Sequence, residues 1–153
     1  YGTLARDAWL DRGIRTLPQA TGSSYLYNHE SGNDDDGSAM TSFIESAPMD
    51  IGDGHKFVSI NRIIPDVSFK GSDTTTPTVS LTVKAKDFSG SNYDQTGSGT
   101  IERSATSPIE QFTNKIDYRI RGRSFVLRYE SSQIGSKYKL GTPRVDLRED
   151  GRR

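Results

Sequence analysis

TVSLTVKAK, residues 78–86, decides the fold class. Val79, Leu81, Val83 and Ala85 alternate with Ser80, Thr82, Lys84 and Lys86. In an extended chain successive side chains point to opposite faces, so this is a strand with one apolar and one wet side. IDYRIRGRSFVLRYES (116–131) carries the same signal twice: Ile116, Tyr118 and Ile120, then Phe125, Leu127 and Tyr129. A turn at Arg121-Gly122-Arg123 between the two runs predicts an antiparallel hairpin with arginines on its exposed face.

Outward from these stretches, FVSINRII (57–64) is β-branched and stops at Pro65. Its adjacent Ile63 and Ile64 break alternation, which predicts a bulge or burial on both faces there. Asp53-Gly54 is a hairpin turn signal with strands expected on both sides. VSF (67–69), KYKLG and RVDLR supply short strands, and SYLYNHE (24–30) supplies another with Tyr25 and Tyr27 on one side. QATGSS (19–24), GNDDDGS (32–38) and DFSGSNYDQTGSG (87–99) read as loops. Residues 1–17 are compatible with a helix face through Leu4, Ala8 and Trp9, or with short strands broken at Gly2, Gly13 and Pro18. The expected architecture is all-β: an antiparallel β-sandwich over 42–153, preceded in 1–41 by the end of another β-rich element.

Composition narrows the function classes. The 153 residues are 31% hydrophobic, which suits thin two-layer packing rather than a thick core. Lys+Arg and Asp+Glu are 20 each, so no net field draws the chain to a polyanion. Residues 1–100 hold 8 basic and 13 acidic side chains, and residues 101–153 hold 12 and 7. That polarity predicts a protein partner, another copy included. Without cysteine there is neither a disulfide framework nor thiolate chemistry. No apolar run reaches the ~18 residues of a membrane span, and no signal peptide is visible.

Catalytic chemistry is thinly represented. His29 and His55 are the only histidines, and neither belongs to a nucleophile elbow or an HExxH motif. Asp34, Asp35 and Asp36 are the metal candidates, because hard cations want clustered oxygens. The EF-hand template fails: with Gly37 in sixth place, Gly32 takes the first position and Phe43 the twelfth. An Asx-type turn is the competing reading. Asn92, Tyr93, Asp94 and Gln95 offer the groups of a sugar-binding loop or of an ordinary hairpin loop. Arg119, Arg121, Arg123 and Arg128, with Arg152 and Arg153 at the end, are interface candidates whose neighbours Glu102, Glu110, Asp117 and Glu130 can balance them. No cofactor motif is present.

Several motifs together resemble a known group. WLDRGIRTLPQATG (9–22), HESGNDDDG (29–37), SFIESAPMDIGDGHKFVSINRIIPDVSF (42–69), SGTIERSATSPIEQFTNKIDYRIRGRSFVLRYES (98–131) and LGTPRVDLREDGRR (140–153) are similar to the C-terminal portion of a tail protein of short-tailed bacteriophages, the group called stabilisation, tail hub or tail nozzle proteins. ESAPMDIGDG, RGRSF and the DGRR ending carry the resemblance most specifically. It implies a longer polypeptide with a β-propeller-like part before this one, Tyr1 falling inside a propeller strand. It further implies a non-enzymatic hexameric ring in the virion tail, extending the channel below the portal and adaptor and conducting viral DNA without sequence-specific contact. In such a ring the arginines of 119–128 belong at protein interfaces, and reversing Arg121 and Arg123 to Glu impairs assembly. RVDLR closes the sandwich, and EDGRR is a polar end able to touch a neighbour. A carbohydrate-binding β-sandwich module is the alternative, marked by exposed Trp or Tyr on one flat face; a glycosidase fragment would instead show two carboxylates across a cleft.

Overall fold

A computed structural model of the chain describes residues 6–14, 16–88 and 104–152. Tyr1, Gly2, Leu4, Asn92, Tyr93, Asp94, Gln95, Glu102 and Arg153 lie outside the described residues. Two compact units form, residues 1–33 and 34–153, and the described residues contain strands and no helix.

The first unit is a three-stranded antiparallel sheet: β1 (Ala8–Leu10), β2 (Gln19–Gly22) and β3 (Tyr25–Asn28), in that order. Of the opening stretch, Ala8–Leu10 is therefore strand, and residues 19–22, expected as loop, are the middle strand of the sheet. The turn that makes this possible is Ser23-Ser24, both left-handed at φ 50° and 68°. Asn-Gly usually marks such a turn; a serine pair gives no such warning.

The second unit is the antiparallel sandwich. Its strands are β4 (Ser42–Glu45), β5 (Met49–Asp50), β6 (Val58–Ile64), β7 (Val67–Ser68), β8 (Thr78–Lys86), β9 (Ser104–Glu110), β10 (Ile116–Gly122), β11 (Ser124–Ser131), β12 (Lys139–Leu140) and β13 (Arg144–Glu149). One sheet runs β4-β11-β8-β9, with β5 continuing the β4 edge along β11; the facing sheet runs β10-β6-β13, and β7 pairs with β12. The core joins Val79, Leu81, Val83 and Ala85 of β8 to Phe125, Leu127 and Tyr129 of β11 and, from the facing sheet, Val58, Ile60, Ile63, Ile116, Tyr118 and Ile120. Each fully buried aliphatic side chain stabilises the fold by about 1.5–3 kcal/mol. The Tyr118 hydroxyl donates to the Leu81 carbonyl at 3.1 Å, and Gly122 lies against Ala85 and Lys86, so β10 runs alongside β8 with the two sheets aligned.

Three local expectations change. The 116–131 hairpin does not exist: β10 and β11 belong to different sheets, and Arg123 alone joins them. The chain crosses from sheet to sheet at a corner that needs glycine. A Cβ on Gly122 would stand 2.9 Å from both the Ala85 Cβ and the Lys86 carbonyl oxygen, and the Arg123 amide donates to that same oxygen at 2.7 Å. Alternation marks one inward face per strand but does not say which strand is the partner. For the same reason Asp53-Gly54 is a turn between sheets: β5 before it pairs with β11, β6 after it with β10 and β13. The irregularity of β6 lies at Asn61, where both registers jump from Arg62 to Ile60. This moves the inward face from Val58 and Ile60 to Ile63 and leaves Ile64 exposed.

The opposed charges of the two sequence halves do not become opposed halves of the sandwich, because strands from both alternate in each sheet. Only local segments keep one sign.

Burial, with smaller contributions from Tyr118 and Asp66, pushes the Tyr129 phenol up to about 12. The unfolded phenol ionises near 10, so this stability is complete below about pH 10 and declines as pH rises toward 12, by on the order of 2 kcal/mol. Urea unfolding between pH 9 and 12 should show the decline. Tyr129→Phe should flatten it; an unchanged slope would contradict the assignment.

Candidate functional site

The arginine group divides between two places. Arg128 is on β11, where its Nη1 donates to Glu45 at 3.1 Å and its Nε to Glu130 at 2.7 Å, while its guanidinium lies 4.0 Å from the Phe43 ring centre. Burial raises the Glu45 carboxyl, but hydrogen bonds from Lys84 and Arg128 outweigh it and hold the group below the usual range. Arg121 and Arg123 lie at the sandwich corner. Their guanidinium carbons are 4.0 and 4.8 Å from the centre of the Phe57 ring. Arg121 pairs with the Asp150 carboxylate and donates to its carbonyl at 3.1 Å, and Arg123 reaches the Arg152 carbonyl at 3.5 Å. Arg119 is exposed on β10, and no ion pair involves it among the described residues.

The stretches that carry the phage-tail resemblance meet at this end. Asp50 pairs in register with Ser124 and Met49 with Phe125, joining ESAPMDIGDG to RGRSF. Phe57 exchanges backbone hydrogen bonds with the terminal segment, Asp150 N–H to its carbonyl and its own N–H to Gly151, both 2.8 Å. The C-terminal end is thus clamped to its own chain through Phe57 and Arg121. Arg121→Ala should speed hydrogen exchange of the Phe57 and Asp150 amides selectively, leaving β8 amides unchanged; uniform acceleration would mean the clamp is part of the global core.

Asp34, Asp35 and Asp36 form a tight turn. Asp35 and Ser38 exchange backbone hydrogen bonds at 3.0 and 2.9 Å around Asp36 and Gly37, both left-handed at φ 51° and 80°, and the Asp34 carboxylate accepts the Gly37 amide at 3.1 Å. This is the Asx-type reading; among the described residues no three His, Asp or Glu side chains gather as a metal site. His29 packs on Trp9 in the first unit, ring centres 4.7 Å apart, and His55 lies 3.9 Å from Asp53 in the second.

The described tyrosines of the sandwich face inward or pack on its core: Tyr118, Tyr129 and Tyr138. An open cleft of about 360 Å³ on the outer face is lined by Thr78, Ser80, Thr82, Thr106, Glu130 and Gln133 among others, with no aromatic ring. On the first unit Trp9, Tyr25 and Tyr27 share a sheet face, but the tyrosine rings are tilted by 58° and Arg6 covers Tyr27 at 3.7 Å. A flat sugar platform is not formed there.

What stands out is one flank of the sandwich. Edge strands present unpaired backbone, and proteins blunt them with proline, bulges or charge. β9 carries Pro108, β10 has a register slip between Asp117 and Ile120, and β13 exposes Arg144, Asp146 and Arg148. β4 has none of these: its Glu45 is turned to Lys84 and Arg128, Pro48 comes only after it, and Tyr138 covers only its first residue, donating its hydroxyl to the Ser42 carbonyl at 3.2 Å. Phe43 is 60% and Ile44 56% exposed, with Met49 further along the same edge also exposed. Ile44 stands opposite buried Tyr129 and therefore faces inward, as does Leu147 on β13 opposite Ile60. Both are exposed, so the core is open to water along the β4 and β13 flank. Sequence reasoning missed this; the adjacent apolar pair Phe43-Ile44, one for each face of a short strand, was the available signal.

Comparison with models of known protein families found no match, and a search of curated proteins found none either. No helix among the described residues is long and apolar enough to cross a membrane.

Proposed function

We propose that this chain is a β-sandwich module of a structural tail protein of a short-tailed bacteriophage, of the stabilisation, hub or nozzle group, and that copies associate into a hexameric ring extending the DNA-conducting channel below the portal and adaptor. The observation that carries the reading is the open flank: the β4 edge, with exposed apolar side chains on both faces, beside the exposed inward-facing Leu147 of β13. Such a surface suits permanent association better than a free-standing binder. The motif resemblance supplies the kind of assembly, and its most specific stretches build one end of the sandwich together. Arg121 and Arg128 are engaged by Asp150, Glu45 and Glu130, so they do not offer phosphates a free cationic surface, in keeping with a channel that DNA must leave. Tail structure, not catalysis, is the role.

Native mass spectrometry and negative-stain electron microscopy of the purified chain test the assembly. Closed rings, six copies each, are expected; a strict monomer at tens of micromolar would contradict the reading.

A further inference from the structure

We infer that the open β4 and β13 flank of one copy is covered by the β10 flank of the next, a head-to-tail contact. The inference rests on the ring-subunit reading and names the surfaces that reading leaves open.

Two observations choose the partner. The first is placement. β10 runs close to β8 and β9, whereas β13 ends the opposite side of its sheet and β4 the opposite side of the other. The β10 flank and the open flank are therefore on opposite sides of the sandwich, as a repeating heterologous contact requires. The second is charge. Residues 34–53, which lead into and through the open edge, hold six acidic side chains and no Lys or Arg; of these Glu45 is met by Lys84 and Arg128, and β13 on the same flank is balanced, Arg144 and Arg148 against Asp146 and Glu149, so the flank stays acidic. Residues 115–123, on and around β10, hold four basic and one acidic, with Lys115 and Arg121 already paired to Asp117 and Asp150. Pairing the open flank with itself would set two acidic segments against each other. Pairing it with β10 sets opposite signs together and fixes direction. On β10, Asp117 is occupied by Arg62 and Lys115, which leaves exposed Arg119 as the cation to face the neighbour. Phe112, 89% exposed at the turn entering β10, is the apolar group on that side to meet Phe43 and Ile44.

The absence of native cysteine makes the test clean. Phe43→Cys and Arg119→Cys are prepared as separate single variants, mixed, and treated with a short bis-maleimide, with products read by mass on a denaturing gel. The mixture should give cross-linked dimers at least tenfold above either variant alone. Ile44→Lys, at a half-exposed site, should abolish rings while circular dichroism and unfolding midpoint stay near the parent. Phe43→Cys cross-linking to itself, or absent cross-links with rings still present, would overturn the inference and leave the ring reading standing. A parent chain that forms no oligomer would overturn both.

Discussion

Leu81→Ala is expected to lower the unfolding free energy by about 3–5 kcal/mol, the cost of a buried leucine truncation that leaves a cavity. Leu81 is fully buried at the centre of β8, which has β11 on one side and β9 on the other, and its carbonyl takes the Tyr118 hydroxyl. It thus joins both sheets by packing and by a buried hydrogen bond. Urea unfolding followed by fluorescence gives the value, and the midpoint temperature should fall by roughly 10 °C or more. A loss under about 1 kcal/mol would mean that the core does not close around β8.

Gly122→Val should be nearly as damaging, by more than about 2 kcal/mol, through overpacking rather than a cavity. The first atom added already meets the Ala85 Cβ and the Lys86 carbonyl at 2.9 Å, and one of these is backbone that cannot swing away. The comparison variant is Gly52→Ala, at a left-handed turn position with φ 65° and open space around it. That change costs only backbone strain, about 1 kcal/mol. If Gly122→Val were as mild as Gly52→Ala, the crossing between sheets would be wrong and a free hairpin turn right.

The strands that alternate cleanly were legible because their burial pattern is their identity. Val79, Leu81, Val83 and Ala85 face the core as their period-2 spacing requires, and RVDLR does close a sheet, as β13 beside β6. Which strands pair was not legible. A run such as 116–131 reads equally as a hairpin within one sheet or as an arch between two, and the difference lies in the space around one glycine. Asn61 shows the same limit: a bulge shifts the inward face, and the Ile63-Ile64 pair only signals that the shift has happened nearby. Among the functional candidates, the acidic turn showed its nature in Asp36-Gly37, a pair suited to left-handed backbone. The arginines looked alike in sequence, yet Arg121, Arg123 and Arg128 took intrachain roles set by where Phe57, Asp150 and Glu45 arrived. The open flank was hidden because exposure of Ile44 depends on how far the opposite sheet extends, which no local pattern records.

The proposed structural place in a phage tail is tested most directly by immunogold electron microscopy of purified virions with antibodies raised against residues 42–153. Label on the tail axis below the portal is the predicted result, its height separating a stabiliser near the adaptor from a distal nozzle. Label confined to peripheral fibres, or none on intact particles whose lysate contains the antigen, would contradict it.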